Sequence, residues 1–231
     1  MTAIAVIPAR GGSKRIPRKN VIPINGVPMV GYAIMAAQNS KLFEKIIVST
    51  DDAEIRAVAE SFGAEVPKYR SSSLSDDFAT TNDVMCDAVK SEWLGESSPE
   101  LVCCIYATSP LLQATHLIES YKIIKEKQVD YVFPAAPFQH KIHRAFQITE
   151  DHGLSMLFPE HFRTRSQDLP QTFHDVGQFY WGKTEAWANR RPIFSATSRI
   201  LPVGASEFVD IDNFSDLDQV LQILKNRNHQ G

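Results

Sequence analysis

Four short apolar runs set the terms on which this chain can fold: AIAVIP (Ala3 to Pro8), KIIVST (Lys45 to Thr50), LVCCIYA (Leu101 to Ala107) and YVFPAAP (Tyr131 to Pro137). Each is continuous rather than alternating, the pattern of a strand buried on both faces. Between them the period changes. Ile55, Val58, Ala59 and Phe62 fall at i, i+3, i+4 and i+7, with Gly63 as a stop. Val84, Ala88 and Trp93 follow a looser pattern after Thr80 and Thr81, and Leu117, Ile118, Tyr121 and Ile124 mark a further helix. Alternating strand and helix predicts right-handed βαβ units. The expected fold is therefore α/β, a mostly parallel sheet flanked by helices, with ligands bound beyond the carboxyl ends of the strands.

The rhythm breaks between about 138 and 182. FQHKIHRAFQITED alternates weakly, like exposed strand, and the residues after it are rich in Arg, Gln, Pro and aromatics without a helical period. This stretch reads as an inserted hairpin or arm on a single domain spanning 1–231. Irregular segments of that length in compact domains are usually functional or meet a partner. His140 and His143 in this stretch read as exposed. The chain ends in SEFVDIDNFSDLDQVLQILKNRN, read as a strand and then a helix, with Ser215 and Asp218 as a capping box and Leu217, Val220, Leu221 and Leu224 as the core stripe.

A net charge of -3 argues against nucleic-acid binding by bulk electrostatics. Cys86, Cys103 and Cys104 lack zinc-ligand spacing and read as buried thiols of a reducing compartment, without a disulfide. The N-terminus lacks a charged segment followed by a long apolar one, and no run approaches the ~18 residues of a membrane span. The expectation is a cytoplasmic protein with no membrane partner.

Against that acidic balance the first loop stands out. PARGGSKRIPRKN (Pro8 to Asn20) places Arg10, Lys14, Arg15, Arg18 and Lys19 around Gly11 and Gly12, directly behind the first strand. Two readings stand. It is a solvated turn, or its glycines bring backbone N–H groups to a phosphate whose charge the cations neutralise. Its place at the end of the first strand favours a site. Neither the GxxxxGK spacing of a Walker loop nor the GxGxxG of dinucleotide folds is present.

Asp210 and Asp212 are the second feature. Two apart on an extended segment, they project to one face, and hard oxygens without nearby His or Cys favour magnesium. The alternative is a cluster of acids, with Asp216, at the first turn of a helix, where the dipole stabilises them.

The segments IPARGGSKRIPRKN, NGVPMVGYAI, IIVSTDDAEI, RSSSLSDDFATT and EFVDIDNFSDL occur in that order over nearly the whole chain. Together they resemble the cytidylyltransferases that activate nonulosonic acids, the CMP-sialic acid synthetases and their relatives. RSQDLPQTFHDVGQFYWG is especially similar to the branch that makes CMP-pseudaminic acid. The resemblance implies a Rossmann-like nucleotidyltransferase fold with an inserted dimerisation arm, and a homodimer. It also implies a magnesium-dependent reaction in which the anomeric hydroxyl of a nine-carbon keto-sugar acid attacks the α-phosphate of CTP and pyrophosphate leaves. N-acetylneuraminic, legionaminic and 3-deoxy-octulosonic acids are alternatives to pseudaminic acid. An Asp-x-Asp glycosyltransferase and an inactive nucleotide-binding regulator are alternatives of other classes, and the basic first loop speaks against the former.

Residue by residue, the resemblance puts Ala9, Arg10, Gly11, Gly12, Ser13, Lys14, Lys19 and Asn20 around the triphosphate, and Arg70, Thr81 and Tyr106 near the nucleotide, with Asp77 holding the loop. Asp210 and Asp212 are the implied metal ligands. Arg10, Lys14, Lys19 and Asp210 are the implied catalytic groups. Arg163, Arg165, Gln167, His174, Gln178 and Tyr180 are implied at the sugar, with Arg165 and Gln167 serving the neighbouring subunit. Arg15 and Arg18 fall at less constrained positions and are expected to be solvated. Where sialate-type members carry glutamine before PTSP, this chain has Tyr106 in IYATSP, a departure that favours the pseudaminate branch and leaves a backbone group to read the base.

Overall fold

The structure, a computed structural model, describes residues 3–94 and 99–228. In chain order its strands are β1 (Ala3–Pro8), β2 (Pro23–Ile24), β3 (Val27–Pro28), β4 (Phe43–Ser49), β5 (Leu101–Ile105), β6 (Tyr131–Pro137), β7 (Phe146–Ile148), β8 (Leu154–Met156), β9 (Phe173–Asp175), β10 (Phe179–Lys183) and β11 (Ser198–Pro202). The helices are α1 (Met29–Ser40), α2 (Ala53–Ser61), α3 (Thr81–Lys90), α4 (Ala114–Lys127), α5 (Thr184–Ala188) and α6 (Phe214–Asn228). All four apolar runs are strands of one central sheet, ordered β11-β6-β10-β5-β1-β4, with β9 pairing on β6.

In that sheet β1, β4, β5, β6 and β11 run one way, and β9 and β10 run the other. The alternation of strand and helix does not foresee β10, which sits antiparallel between β5 and β6 with Tyr180 opposite Cys104 and Trp181 opposite both Cys103 and Val132. Its aromatics explain the position. Phe179 and Trp181 join the core under α1, α2 and α4, while Tyr180 joins the core under α3 and α5. Gly182 is required there: a Cβ would lie 2.4 Å from the Trp187 indole nitrogen, which donates to the Val102 carbonyl at 3.0 Å. A third cluster packs α6 against the first loop and joins Ile16, Ile24, Met29, Leu111, Ile211, Leu217 and Val220.

Three local expectations need correction. Residues 206–213 form no strand, because beyond β11 the segment has passed the carboxyl end of β6 and has no partner to pair with. The helix that follows is boxed by Asn213 and Asp216 rather than by Ser215 and Asp218. Asp216 N donates to the Asn213 side chain at 3.2 Å, and Asn213 N donates back to the Asp216 carboxylate at 2.8 Å. The inserted segment ends earlier than 182, since β9 and β10 return to the central sheet. Its hairpin is β7 with β8, Gln147 opposite Ser155, and it carries exposed Phe146, Ile148 and Leu154.

His143 is buried, not exposed. Its ring lies 4.8 Å from that of His161 and 5.4 Å from that of Phe158. The three cysteines are free and buried. Among the described residues no helix is long and apolar enough to cross a membrane.

Candidate active site

Three cavities of about 310, 390 and 480 Å³ adjoin at the carboxyl ends of β1 and β5, and Thr108 lines all three. The loop after β1 forms the shared wall. Ala9 N donates to the Ser49 carbonyl at 2.9 Å, Gly11 N to the Asp51 carboxylate at 2.9 Å, and Asn20 Nδ2 to the Arg10 carbonyl at 2.9 Å. Ile16, fully buried in the α6 cluster, pins its middle. A loop held at so many points presents its cations without having to order them on binding.

Asp77 collects two of those cations. Arg10 Nη1 donates to the Asp76 carbonyl at 2.8 Å and to Asp77 at 3.0 Å, and the Lys14 ammonium donates to the other Asp77 oxygen. Lys14 first and Arg10 second hold the Asp77 carboxyl below its ordinary range. Arg10, Asn20, Arg70, Thr81 and Tyr106 line the smallest cavity, and Arg10, Ser13, Lys14, Arg15, Lys19 and Asn20 line the middle one. Arg70 is buried, which lowers its pKa, and its Nε donates to Ser75 Oγ at 3.2 Å. The Tyr106 hydroxyl shares a 2.7 Å hydrogen bond with Thr81, and burial pushes its pKa up to about 12. Gly11 and Gly12 line none of the three cavities, and Ala9 is buried.

The largest of these three cavities brings Asp210 and Asp212 onto the same wall as Lys19, Arg15, His174, Gln178 and Tyr180. Ile211 between the two acids points into the α6 cluster, the alternation of an extended segment. The Lys19 ammonium donates to the Ile211 carbonyl, and Arg15 Nη1 lies 2.5 Å from Asp212 Oδ2. Desolvation lowers the Lys19 pKa, against the raising influence of Asp212, Asp210 and Asp216. No group of three or more His, Cys, Asp or Glu suited to a metal occurs among the described residues. Asp210 and Asp212 supply two hard carboxylate donors, a set that suits an ion keeping waters and phosphate oxygens in its shell, as magnesium does.

Neither Arg15 nor Arg18 is merely solvated. Arg15 pairs with Asp212 as above. Arg18, with φ of 57°, grips the Asp52 carboxylate at 2.5 and 3.0 Å and also donates to Glu54. Asp52 in turn caps α2, accepting from Glu54 N at 2.9 Å and Ile55 N at 3.0 Å, and Arg18 holds its carboxyl down to about 2. Arg18 thus secures the helix that flanks the loop.

Arg163, Arg165 and Gln167 are exposed on the arm and line none of the three cavities. The His174 ring packs 5.0 Å from Phe138 and 5.5 Å from Phe208. Gln178 is buried, its Nε2 donating to the Glu207 carbonyl at 2.8 Å, and the Tyr180 hydroxyl donates to Asp175. Asp175, Thr108 and Arg15 are wall residues that the sequence reading does not select. Thr108 follows the apolar run of β5 closely, so the strand-end rule applied to β1 finds it too; Asp175 carries no spacing signal.

The sequence model of the family described as Cytidylyltransferase matches residues 4–192. A Campylobacter jejuni protein named pseudaminic acid cytidylyltransferase is 39% identical over 100% of this chain and 99% of its own length. A Helicobacter pylori protein named pseudaminic acid cytidylyltransferase and UDP-2,4-diacetamido-2,4,6-trideoxy-beta-L-altropyranose hydrolase is 41% identical over 93% of this chain and 41% of its own. Among solved structures, a CMP:2-keto-3-deoxy-manno-octonic acid synthetase complexed with CTP superposes with a TM-score of 0.72 at 15% identity, covering 98% of this chain and 100% of that one.

Proposed function

This chain belongs to the cytidylyltransferase family, and on that premise we propose that it joins the CMP moiety of CTP to pseudaminic acid with release of pyrophosphate. The meeting of the basic first loop and the late acid pair at one cleft carries the reading: Arg15 touches Asp212 and Lys19 holds the Ile211 carbonyl. It is supported by full-length similarity to proteins named for that activity.

In this reading the smallest cavity takes the nucleoside, between Arg70, Thr81 and Tyr106. The middle cavity takes the phosphates, where Arg10, Lys14 and Lys19 neutralise the charge that grows on the departing pyrophosphate. Cations already held by Asp77 and by the Ile211 carbonyl need little reorganisation as that charge develops. The largest cavity takes the sugar acid, beside His174, Gln178 and Tyr180, so that its anomeric hydroxyl approaches the phosphate from the Thr108 junction. Asp210 and Asp212 would hold a magnesium ion, which when bound polarises the α-phosphate.

A homodimer is part of the proposal. The arm carries exposed Phe146, Ile148 and Leu154, and Arg163, Arg165 and Gln167 lie outside their own cleft, as residues serving a neighbouring subunit would. The reaction is placed in the cytoplasm, in keeping with three free buried cysteines.

The test is pyrophosphate release from CTP and magnesium with a panel of pseudaminic, N-acetylneuraminic, legionaminic and 3-deoxy-octulosonic acids. The fastest release is expected with pseudaminic acid. No release with any member overturns the proposal.

A further inference from the structure

Asp175 stands at the end of β9, opposite Ala135 of β6, and its side chain is fixed from two directions. One oxygen accepts from Gly177 N at 3.1 Å across a turn that Gly177 closes with φ of +61°; the other accepts from the Tyr180 hydroxyl. The Tyr180 ring meets Tyr106 edge-on at 5.5 Å, and Tyr106 is tied to Thr81. A chain of hydrogen bonds and one aromatic edge contact thus runs from the mouth of α3 to the far wall of the largest of the three cavities.

Among the described residues Asp175 has no ion-pair partner, and it is the one acid lining that cavity besides Asp210 and Asp212. Each carboxylate oxygen can accept more than one hydrogen bond, so the two internal donors leave acceptor capacity unfilled. A fixed acceptor such as the Asp175 carboxylate selects a ligand that donates to it, because an acceptor left unmatched in a buried site is costly.

We propose that Asp175 is a specificity-determining residue of the acceptor site, accepting a hydrogen bond from an N–H or O–H group of the sugar acid. This rests on the functional reading above, since it needs the acceptor in the largest cavity. Tyr180 and Gly177 orient the carboxylate, and Asp175 takes no part in holding CTP.

The experiment is steady-state pyrophosphate release by the full chain, varying each substrate in turn, for wild type, Asp175→Asn, Asp175→Glu and Tyr180→Phe. Asp175→Asn removes the charge and half of the acceptor capacity while keeping the size, and Asp175→Glu keeps the charge but displaces it. Both are expected to raise the KM for the sugar acid about 10- to 100-fold, as loss of a hydrogen bond to a charged group does, with the KM for CTP within about twofold. Tyr180→Phe should raise the sugar KM by a smaller factor, since the carboxylate remains. An unchanged sugar KM in both Asp175 variants, a parallel rise in the KM for CTP, or a loss in Tyr180→Phe equal to that in Asp175→Asn overturns the proposal; the last outcome would mean that Asp175 merely positions Tyr180. Failure of the functional reading shows separately, as a wild-type protein that releases no pyrophosphate.

Discussion

Arg15 Nη1 lies 2.5 Å from Asp212 Oδ2, which joins the loop behind the first strand to the acids before the last helix. Lys19 repeats the link on the Ile211 carbonyl across a sequence separation of 192. The apolar side of both segments makes the arrangement durable, because Ile16 and Ile211 are buried in one cluster with Leu217 and Val220 of α6. Burial of those side chains fixes where the charged ones must point. If the acid pair holds magnesium, Asp210→Asn and Asp212→Asn should each lower kcat by about 10²- to 10³-fold, the scale of losing a preorganised charge-stabilising group, and raise the magnesium needed for half-maximal rate. Chelation should abolish pyrophosphate release and added magnesium restore it. A full rate in chelator would remove the ion from the scheme.

Lys19 makes a pH prediction. Burial lowers its pKa from the ordinary lysine value of 10.5, and the surrounding acids oppose this only in part. Below that pKa the ammonium is charged and can neutralise phosphate; above it the charge is gone. Efficiency toward CTP should therefore fall on the alkaline side at a lower pH than an ordinary lysine dictates. Lys19→Arg, charged throughout, should move that limb upward even if its peak rate is lower. A pH profile of kcat/KM for CTP decides it, and identical alkaline limbs would count against Lys19.

Much of this was legible in the sequence, for physical reasons that also mark where it stops. A strand buried on both faces must be apolar throughout, so the runs at Ala3 and Tyr131 end where the strands end. Asp210 and Asp212 share a wall because alternation in an extended segment is local geometry. What escaped is long-range. The FYWGK stretch of β10 has strand character in sequence, but its antiparallel seat between β5 and β6 depends on which gap the other strands leave. Arg15 and Arg18 look alike in the chain, yet one meets Asp212 and the other Asp52, because the loop turns at Arg18 with a positive φ. The polar wall at Asp175 exists only once β9 has folded back beside β6.

The arm supplies a prediction about assembly. Ile148 is 71% exposed and Leu154 70%, on a hairpin of two three-residue strands. Apolar side chains on so small a ribbon gain little from their own chain and fit burial by another copy. If the chain forms the proposed dimer, Ile148→Asp and Leu154→Asp should shift its elution to that of a monomer while leaving the thermal midpoint of that monomer nearly unchanged, as surface substitutions do. If Arg165 and Gln167 serve the neighbouring cleft, activity should fall with the dimer and show a concentration dependence. Monomeric wild-type protein would end this part of the proposal.

The two adjacent glycines of the first loop, indistinguishable in sequence, should behave differently. A Cβ on Gly11 would lie 2.7 Å from Asp52 Oδ2 and 2.9 Å from Asp52 Cβ, whereas one on Gly12 meets nothing within 4 Å. Asp52 cannot simply step aside, since it caps α2 and is gripped by Arg18. Gly11→Ala must therefore displace the loop or the helix, an overpacking that costs about 1–3 kcal/mol. For a chain of this size each kcal/mol shifts the thermal midpoint by roughly 2–4 °C, so a drop of several degrees is expected. Weaker binding of CTP should accompany it, because Gly11 N donates to Asp51 and the Arg10 carbonyl is held by Asn20. Gly12→Ala should match wild type in both measurements. Equal losses in the two variants would show that the glycines serve the flexibility of the loop and not the space beside Asp52.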